Sequence, residues 1–511
     1  MTSRRDRLDR LMTKLAPAEP AEVSLPRSPV GLAIMVFSVI GMVLLCYRFR
    51  DFTTDDAWIS VRYAENLAEG HGFVWNPGGV PVEGFSNPLL VYGEALAHGL
   101  GWSSISFART LGVACAVACT CLVYWRGRQV VGEIAARSAT VLTGLCPPMA
   151  LWAVGGLETM VTALVITAAV LELTRQRDRR PWLAGALLGL LPWLRPEGLV
   201  VALSVAVFCE LPGLLNPSTR RRSLIRLAVI GGVPVLSQVA LEVVRLAAYG
   251  HLLPNSVCYK LGTGGIIQVA LRFIRQAWPV LALAVLGIFA SRWRHWLLAV
   301  PMAVYFAGSL GTLDSINTGS RFFLPTWPQV ALLAGLGVAA MRRDLAGRRG
   351  GIVAVAVVSI YAALMLSVLS SHVRSSTRFA ADYRLCRTEP RAETAAWLRE
   401  NTSRDALVSI SDAGLVPARS GERTFIDQFM LNESRIQQTG VLPSPERAEI
   451  VLAQRPDVIV LASSSARRFV PAYFVDGELQ QSLGADYELT HVVRPDRRSC
   501  TYSLYIHSRV G

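Results

Sequence analysis

The chain reads as a polytopic α-helical membrane protein of about eleven spans that ends in an extracytoplasmic α/β domain. Three observations predict this. Apolar runs that approach or exceed bilayer length recur between residues 29 and 371, in a chain of 511 residues that is 52% hydrophobic and only 17% charged. The segments between those runs alternate between Arg-rich and Gly/Asn/Pro-rich stretches. From residue 372 onward the apolar runs stop and short β-like runs take their place.

Residues 1–28 form a basic polar arm carrying Arg4, Arg5, Arg7, Arg10, Lys14 and Arg27. It suits the anionic cytoplasmic leaflet, and the full-length run behind it reads as an uncleaved anchor. Hydropathy places spans near 29–47, 106–125, 136–153, 157–173, 181–194, 197–215, 224–248, 277–291, 296–312, 322–341 and 351–371. With the N-terminus inside, the inner loops become WRGRQVVGEIAAR, TRQRDRR, NPSTRRRSLIR, SRWRHW and MRRDLAGRRG, each rich in arginine. The C-terminus then falls outside.

The first outer loop, residues 48–105, is long and polar. Its SVRYAENLAEG stretch predicts a helix with Asp55 and Asp56 near its N-terminus, and VEGFSNPLLVYGEALAHGLG predicts a second, interfacial helix. Residues 29–371 thus make a membrane domain and residues 372–511 a smaller unit. In the latter, DALVSISD, DVIVLAS and TYSLYIHS read as strands and AETAAWLREN as a helix.

The net charge of +14 would point to nucleic acid in a soluble chain, but the arginines sit in short segments between spans, so nucleic acid is not expected as a partner. Most of the nine cysteines lie in or beside apolar helices and show no metal-ligand spacing. Cys386 and Cys500 lie in the polar C-terminal region, where they either form a disulfide or remain two thiols. P-loop, G-x-G-x-x-G, HExxH and G-x-S-x-G patterns are absent, which removes the corresponding nucleotide, zinc-protease and serine-hydrolase readings.

Adjacent carboxylates just outside a span can divide labour. One of Asp55 and Asp56 can remove a proton from an acceptor hydroxyl while the other holds that hydroxyl, orients the first or binds a divalent ion. A capped helix start beside a solvated acid is the plainer account of the same dipeptide. Basic groups expected on the same side are Arg195 in LRPEG, His251 and Lys260 in YGHLLPNSVCYK, and Arg321 after GTLDSINTGS. They can clamp a phosphate, although Arg195 can equally pair with Glu197. Glu83 and Asn255 are candidates for acceptor binding. Trp58, Tyr63 and Trp75 can stack on sugar rings or belong to an interfacial aromatic belt. Glu158 in GGLET is explained by its place at the start of a span.

Together TTDDAWISVRYAENLAEGHGFVWNPG, VEGFSNPL, GGLET, LRPEG, YGHLLPNSVCYK, SRFFLP and DAGLVPARSGERTFID resemble the GT-C superfamily of polyprenyl-phosphate-sugar glycosyltransferases. Their order and spacing are similar to the mycobacterial-type arabinofuranosyltransferases that add terminal β-1,2-arabinofuranose to cell-wall arabinan. The resemblance implies an enzyme of the bacterial cytoplasmic membrane that works on its outer face. It implies a lipid-linked donor such as decaprenyl-phospho-arabinofuranose, a cell-envelope glycan acceptor, catalysis by Asp55 or Asp56, and a donor phosphate met by Lys260, His251 or Arg321. Transfer of mannose or another sugar is the alternative within the superfamily, and a flippase for a lipid-linked glycan is the alternative outside it.

Overall fold

The computed structural model describes residues 28–175, 179–260, 267–309, 320–347, 351–495 and 500–510. Among these, six helices are long and apolar enough to cross a bilayer: Pro29–Arg48, Ser104–Val131, Gly198–Leu215, Arg220–Tyr249, Ala270–Phe289 and Leu324–Asp344. Thr159–Thr174 and Pro181–Leu194 are shorter apolar helices packed with them. The first helix is apolar all round and leaves Phe37 and Leu44 bare on its outer side, as a lipid-facing surface requires. Leu236 and Val243 do the same on Arg220–Tyr249.

Several expected spans are interrupted, and proline accounts for two of the breaks. The run 136–153 is two helices, Glu133–Gly144 and Pro147–Ala153, because Pro147 and Pro148 lack the N–H groups that would continue the first. The run 181–194 breaks after Gly189 and resumes as the single turn Leu191–Leu194 around Pro192. The run 296–312 begins as a 3-10 segment, Trp293–Ala299, before Val300–Ser309. The last apolar run does not stop at residue 371. Its helix extends over Gly351–Tyr383, 33 residues, and passes through a π-helical turn, Arg384–Thr388, into the helix Glu389–Asn401.

The long loop after the first membrane helix folds onto the membrane helices as two helices, Asp55–Ala68 and Pro88–Gly99. Beyond the π-helical turn stands a five-stranded sheet: β1 Leu407–Ile410, β2 Thr424–Asp427, β3 Val458–Ser463, β4 Tyr487–Val493 and β5 Ser503–Arg509. Its order is β2-β1-β3-β5-β4, with β1 parallel to β2 and β3, and β5 antiparallel to β3 and β4. Strands β1, β3 and β5 coincide with the β-like runs of the sequence. β4 lies on an edge with its middle residues exposed, and it lacks the apolar alternation that marks the others.

One core runs through the membrane helices. A second joins the sheet to the outer loop, with Tyr63, Trp75 and Phe85 packed against the same cluster as Val408, Phe425 and Val460. Cys386 and Cys500 are joined by a disulfide that ties the π-helical turn to the start of β5.

Candidate active site

The helix Asp55–Ala68 begins directly after the first membrane helix, so its first turn is presented where the bundle ends. Consecutive helix residues point about 100° apart, and Asp55 and Asp56 therefore meet different surroundings.

Asp55 turns toward the sheet domain. Its Oδ1 accepts from the Leu415 amide at 3.0 Å and faces Arg391 Nε at 3.5 Å. Its own amide donates to the Tyr383 hydroxyl at 2.9 Å. The fit is close enough that a Cβ on Gly414 would lie 2.1 Å from the Asp55 carbonyl oxygen. Burial raises the Asp55 carboxyl above its ordinary range, against the opposing pull of Arg391. Arg391 is already committed, with Nε and Nη2 each 2.9 Å from Asp412, which also accepts from the Tyr502 hydroxyl. Asp55 is thus bound into a structural joint between loop and domain.

Asp56 keeps a side chain that is 60% exposed, and its Oδ2 lies 3.2 Å from Arg321 Nη1. Arg321 Nη2 reaches Glu158 Oε1 at 3.5 Å, and its guanidinium lies 5.3 Å from the centre of the Trp152 ring. Glu158 is 2% exposed and also binds Arg195 Nη1 at 2.8 Å and Asn87 Nδ2 at 3.0 Å. Arg195 is in turn paired with Glu197. The chain Asp56–Arg321–Glu158–Arg195–Glu197 alternates in charge, so each buried ion has a partner.

These groups border a cavity of about 690 Å³ between the outer loop, the membrane helices and the sheet domain. Its polar centre holds Asp55, Asp56, Glu158, Arg321, Arg391 and Asp412. Phe52, Trp152, Phe379 and Tyr383 line it from or beside the membrane helices, Tyr259 from the short helix Asn255–Lys260, and Phe429 and Tyr473 from the sheet domain. Arg387 also lines it. Its guanidinium rests 4.8 Å from the Tyr502 ring centre, with no carboxylate partner among the described residues.

Backbone strain gathers here as well. Of three non-glycine residues with positive φ among the described residues, Ser320 at 62° precedes Arg321 and Met430 at 61° follows Phe429.

The structure brings Asp56 and Arg321 together and places Arg195 behind Glu158. Five other expected site residues have structural employment instead. Glu83 is 5% exposed and forms a two-pronged pair with Arg245, Nε to Oε2 at 2.8 Å and Nη2 to Oε1 at 3.2 Å. Asn255 donates to the carbonyls of Leu431 and Glu433 at 2.9 and 2.8 Å, pinning its loop to the domain. Trp58 is buried under Arg419 at 4.6 Å, and Trp75 is buried between Arg62 and Phe425. Tyr63 is buried and donates to Asn432 at 3.0 Å. Trp58, Tyr63 and Trp75 are buried where the sheet domain covers the loop, Asn255 is tied to that domain, and Glu83 is held by Arg245 of the helix Arg220–Tyr249. His251 is exposed and does not line the cavity. Lys260 ends the helix Asn255–Lys260, and its side chain lies outside the described residues, as does Asp314.

Among the described residues no three His, Cys, Asp or Glu side chains stand close enough to hold a metal ion. The expected divalent site at Asp55 and Asp56 does not fit, since each carboxylate already faces a guanidinium.

Arg387, Arg391 and Tyr473 were not legible as site residues. Two acids left a signal: Glu158 at the start of an apolar run, where a helix start explained it equally well, and Asp412 at the head of DAGLVPARSGERTFID, where a turn or cap explained it equally well.

No curated protein matches the sequence. Residues 378–505 match a family described as a domain of unknown function, DUF8728. The fold is that of ArnT from Cupriavidus metallidurans solved with undecaprenyl phosphate, with TM-score 0.59 and 13% identity over 94% of this chain and 98% of that one. It is also that of the Archaeoglobus fulgidus oligosaccharyltransferase, with TM-score 0.56 and 13% identity over 86% of this chain and 70% of that one. The mycobacterial arabinofuranosyltransferase AftD aligns more loosely, with TM-score 0.47 and 16% identity over 93% of this chain and 41% of its own, and nothing about the sugar follows from it.

Proposed function

We propose that this protein is a membrane glycosyltransferase that takes a sugar from a polyprenyl-phosphate donor and passes it to a cell-envelope glycan. The observation that carries this reading is Asp56, a solvent-reachable carboxylate held by Arg321 at the edge of a cavity between membrane helices and an outer domain. The fold shared with a protein solved with undecaprenyl phosphate supports a lipid-linked donor.

In this reading the prenyl chain lies among the membrane helices and the phosphate enters from the flank of Phe52, Trp152 and Phe379. Arg387, which has no carboxylate partner among the described residues, meets the phosphate. Asp56 accepts the proton of the acceptor hydroxyl as its oxygen bonds to the anomeric carbon. The bond from that carbon to the phosphate oxygen breaks, and the lipid phosphate leaves with both electrons. Arg321 and Glu158 position the base. Arabinofuranose is the sugar suggested by the order and spacing of the motifs along the whole chain, and mannose is the second reading. The face of action is extracytoplasmic, which agrees with a disulfide beside the cavity.

The test is transfer by purified protein in detergent from decaprenyl-phospho-arabinofuranose and, separately, from polyprenyl-phospho-mannose, with Asp56→Asn in parallel. Transfer from either donor that Asp56→Asn abolishes supports the reading. Undiminished transfer by Asp56→Asn removes the proposed base.

A further inference from the structure

We infer that the acceptor subsite is an aromatic wall made of Tyr259, Phe429 and Tyr473, and that its occupant is a saccharide ring; this rests on the transferase reading above. The three rings form one continuous surface. Tyr259 and Phe429 meet edge to face at 6.0 Å and 78°, and Phe429 and Tyr473 at 4.9 Å and 80°. All three line the cavity, and all three are half-buried, which leaves ring surface open to it.

The wall is held in place from three directions. Tyr259 rides on the short helix that Asn255 pins to Leu431 and Glu433. Phe429 sits in a turn closed by Asp427, which accepts from the Phe429 amide at 2.8 Å and from the Asn432 amide at 3.1 Å. Met430, next in that turn, holds φ at 61°. The Tyr473 amide donates to Asp476 at 3.0 Å. Such bracing fixes the rings before a ligand arrives, so little conformational entropy is lost on binding.

A sugar ring has one face of C–H groups and a rim of hydroxyls. The C–H face suits a fixed aromatic surface, and the rim can donate to the Ser256 and Ser411 hydroxyl oxygens, which line the same cavity and give their own protons to the Phe85 carbonyl and Asp476. The wall is assigned to the acceptor because Phe429 and Tyr473 belong to the sheet domain, whereas Phe52, Trp152 and Phe379, which line the same cavity, stand on or beside membrane helices, among which the prenyl chain lies in the reading above. Phe429 and Tyr473 belong to the segment that matches the domain of unknown function, which this assignment provides with a task.

The experiment is saturation-transfer NMR on the full chain in lipid nanodiscs, with a hexasaccharide of arabinofuranose and one of mannose as probes. Wild-type protein is expected to transfer saturation to the ring protons of at least one probe. Phe429→Leu and Tyr473→Leu keep apolar volume but lose the ring face, and each is expected to weaken binding about five- to tenfold. Tyr473→Phe is expected to recover most of what Tyr473→Leu loses. Failure of both probes to bind wild-type protein, leucine variants that bind as wild type, or Tyr473→Phe as weak as Tyr473→Leu each overturn the subsite. Saccharide binding without any sugar transfer by wild-type protein removes the transferase reading and leaves the wall. Transfer with an acceptor KM unmoved in the leucine variants removes the wall alone.

Discussion

Asp56 and Arg321 stand 3.2 Å apart although 265 residues separate them in sequence. One opens the first helix of the outer loop, and the other precedes the helix Trp327–Gly347. Their pairing joins two residues singled out in the sequence for different roles into one side of a cavity.

The neighbouring carboxylates should separate in their effects. Asp56→Asn is expected to lower sugar transfer by about 10²-fold or more, the usual scale for removing a general base, and to leave thermal unfolding unchanged because the side chain is largely exposed. Asp55→Ala leaves the Leu415 amide and Arg391 short of an acceptor. It is expected to destabilise the protein by about 1–3 kcal/mol. Thermal unfolding and transfer measured on both variants would check this, and the reverse pattern would reassign the base to Asp55.

Glu158 is the buried counter-charge of both Arg321 and Arg195. Glu158→Gln leaves two guanidiniums without their shared anion, a loss expected to cost about 3–5 kcal/mol. Reduced thermal stability together with reduced transfer is the expected result. A variant as stable and active as wild type would show that the ion chain does not support the site.

The turn that carries Phe429 should respond to pH. Burial raises the Asp427 carboxyl to about 6 and, with Asp427 beside it, the Glu433 carboxyl to about 7. The folded chain therefore holds protons between about pH 4 and 7 that the unfolded chain has released, and stability falls as pH rises through that window. Unfolding temperature should drop from pH 5 to pH 8, and Glu433→Gln should flatten the drop. A profile unchanged by Glu433→Gln would rule out its part.

The disulfide between Cys386 and Cys500 spans 114 residues. Its loss, by reductant or by Cys386→Ser with Cys500→Ser, is expected to cost about 2–5 kcal/mol. Arg387 and Tyr502 lie within two residues of the bridge and stack on each other, so transfer should fall with stability. Unfolding with and without reductant measures the first effect, and transfer by reduced protein below its unfolding temperature measures the second.

Much of the architecture was legible in the sequence. Apolar runs at 29–47, 106–125, 197–215 and 224–248 lie on Pro29–Arg48, Ser104–Trp125, Gly198–Leu215 and Arg220–Tyr249. The helix SVRYAENLAEG also lies where capping and charge placed it, with both acids in its first turn. The breaks at Pro147 and Pro192 were visible as residues but not as interruptions, since a hydropathy window averages over them. Trp58, Trp75 and Tyr63 looked like sugar-stacking rings because a sequence does not show which loop face a distant domain will cover.

What the sequence determined by itself is local: where a bilayer-compatible run lies, where a helix starts with acids in its first turn, and that Cys386 and Cys500 stand in the polar C-terminal region. Each depends on composition within a window of a few to twenty residues. What only the tertiary structure decided is which of two adjacent aspartates faces the cavity, that Glu158 joins Arg321 to Arg195, and that Tyr259, Phe429 and Tyr473 form one surface. Those relations join residues from different elements, 37 positions apart for Glu158 and Arg195 and 163 for Glu158 and Arg321, or turn on about 100° of helix rotation. They are set by the packing of the sheet domain on the loop, which leaves no periodic mark in the chain.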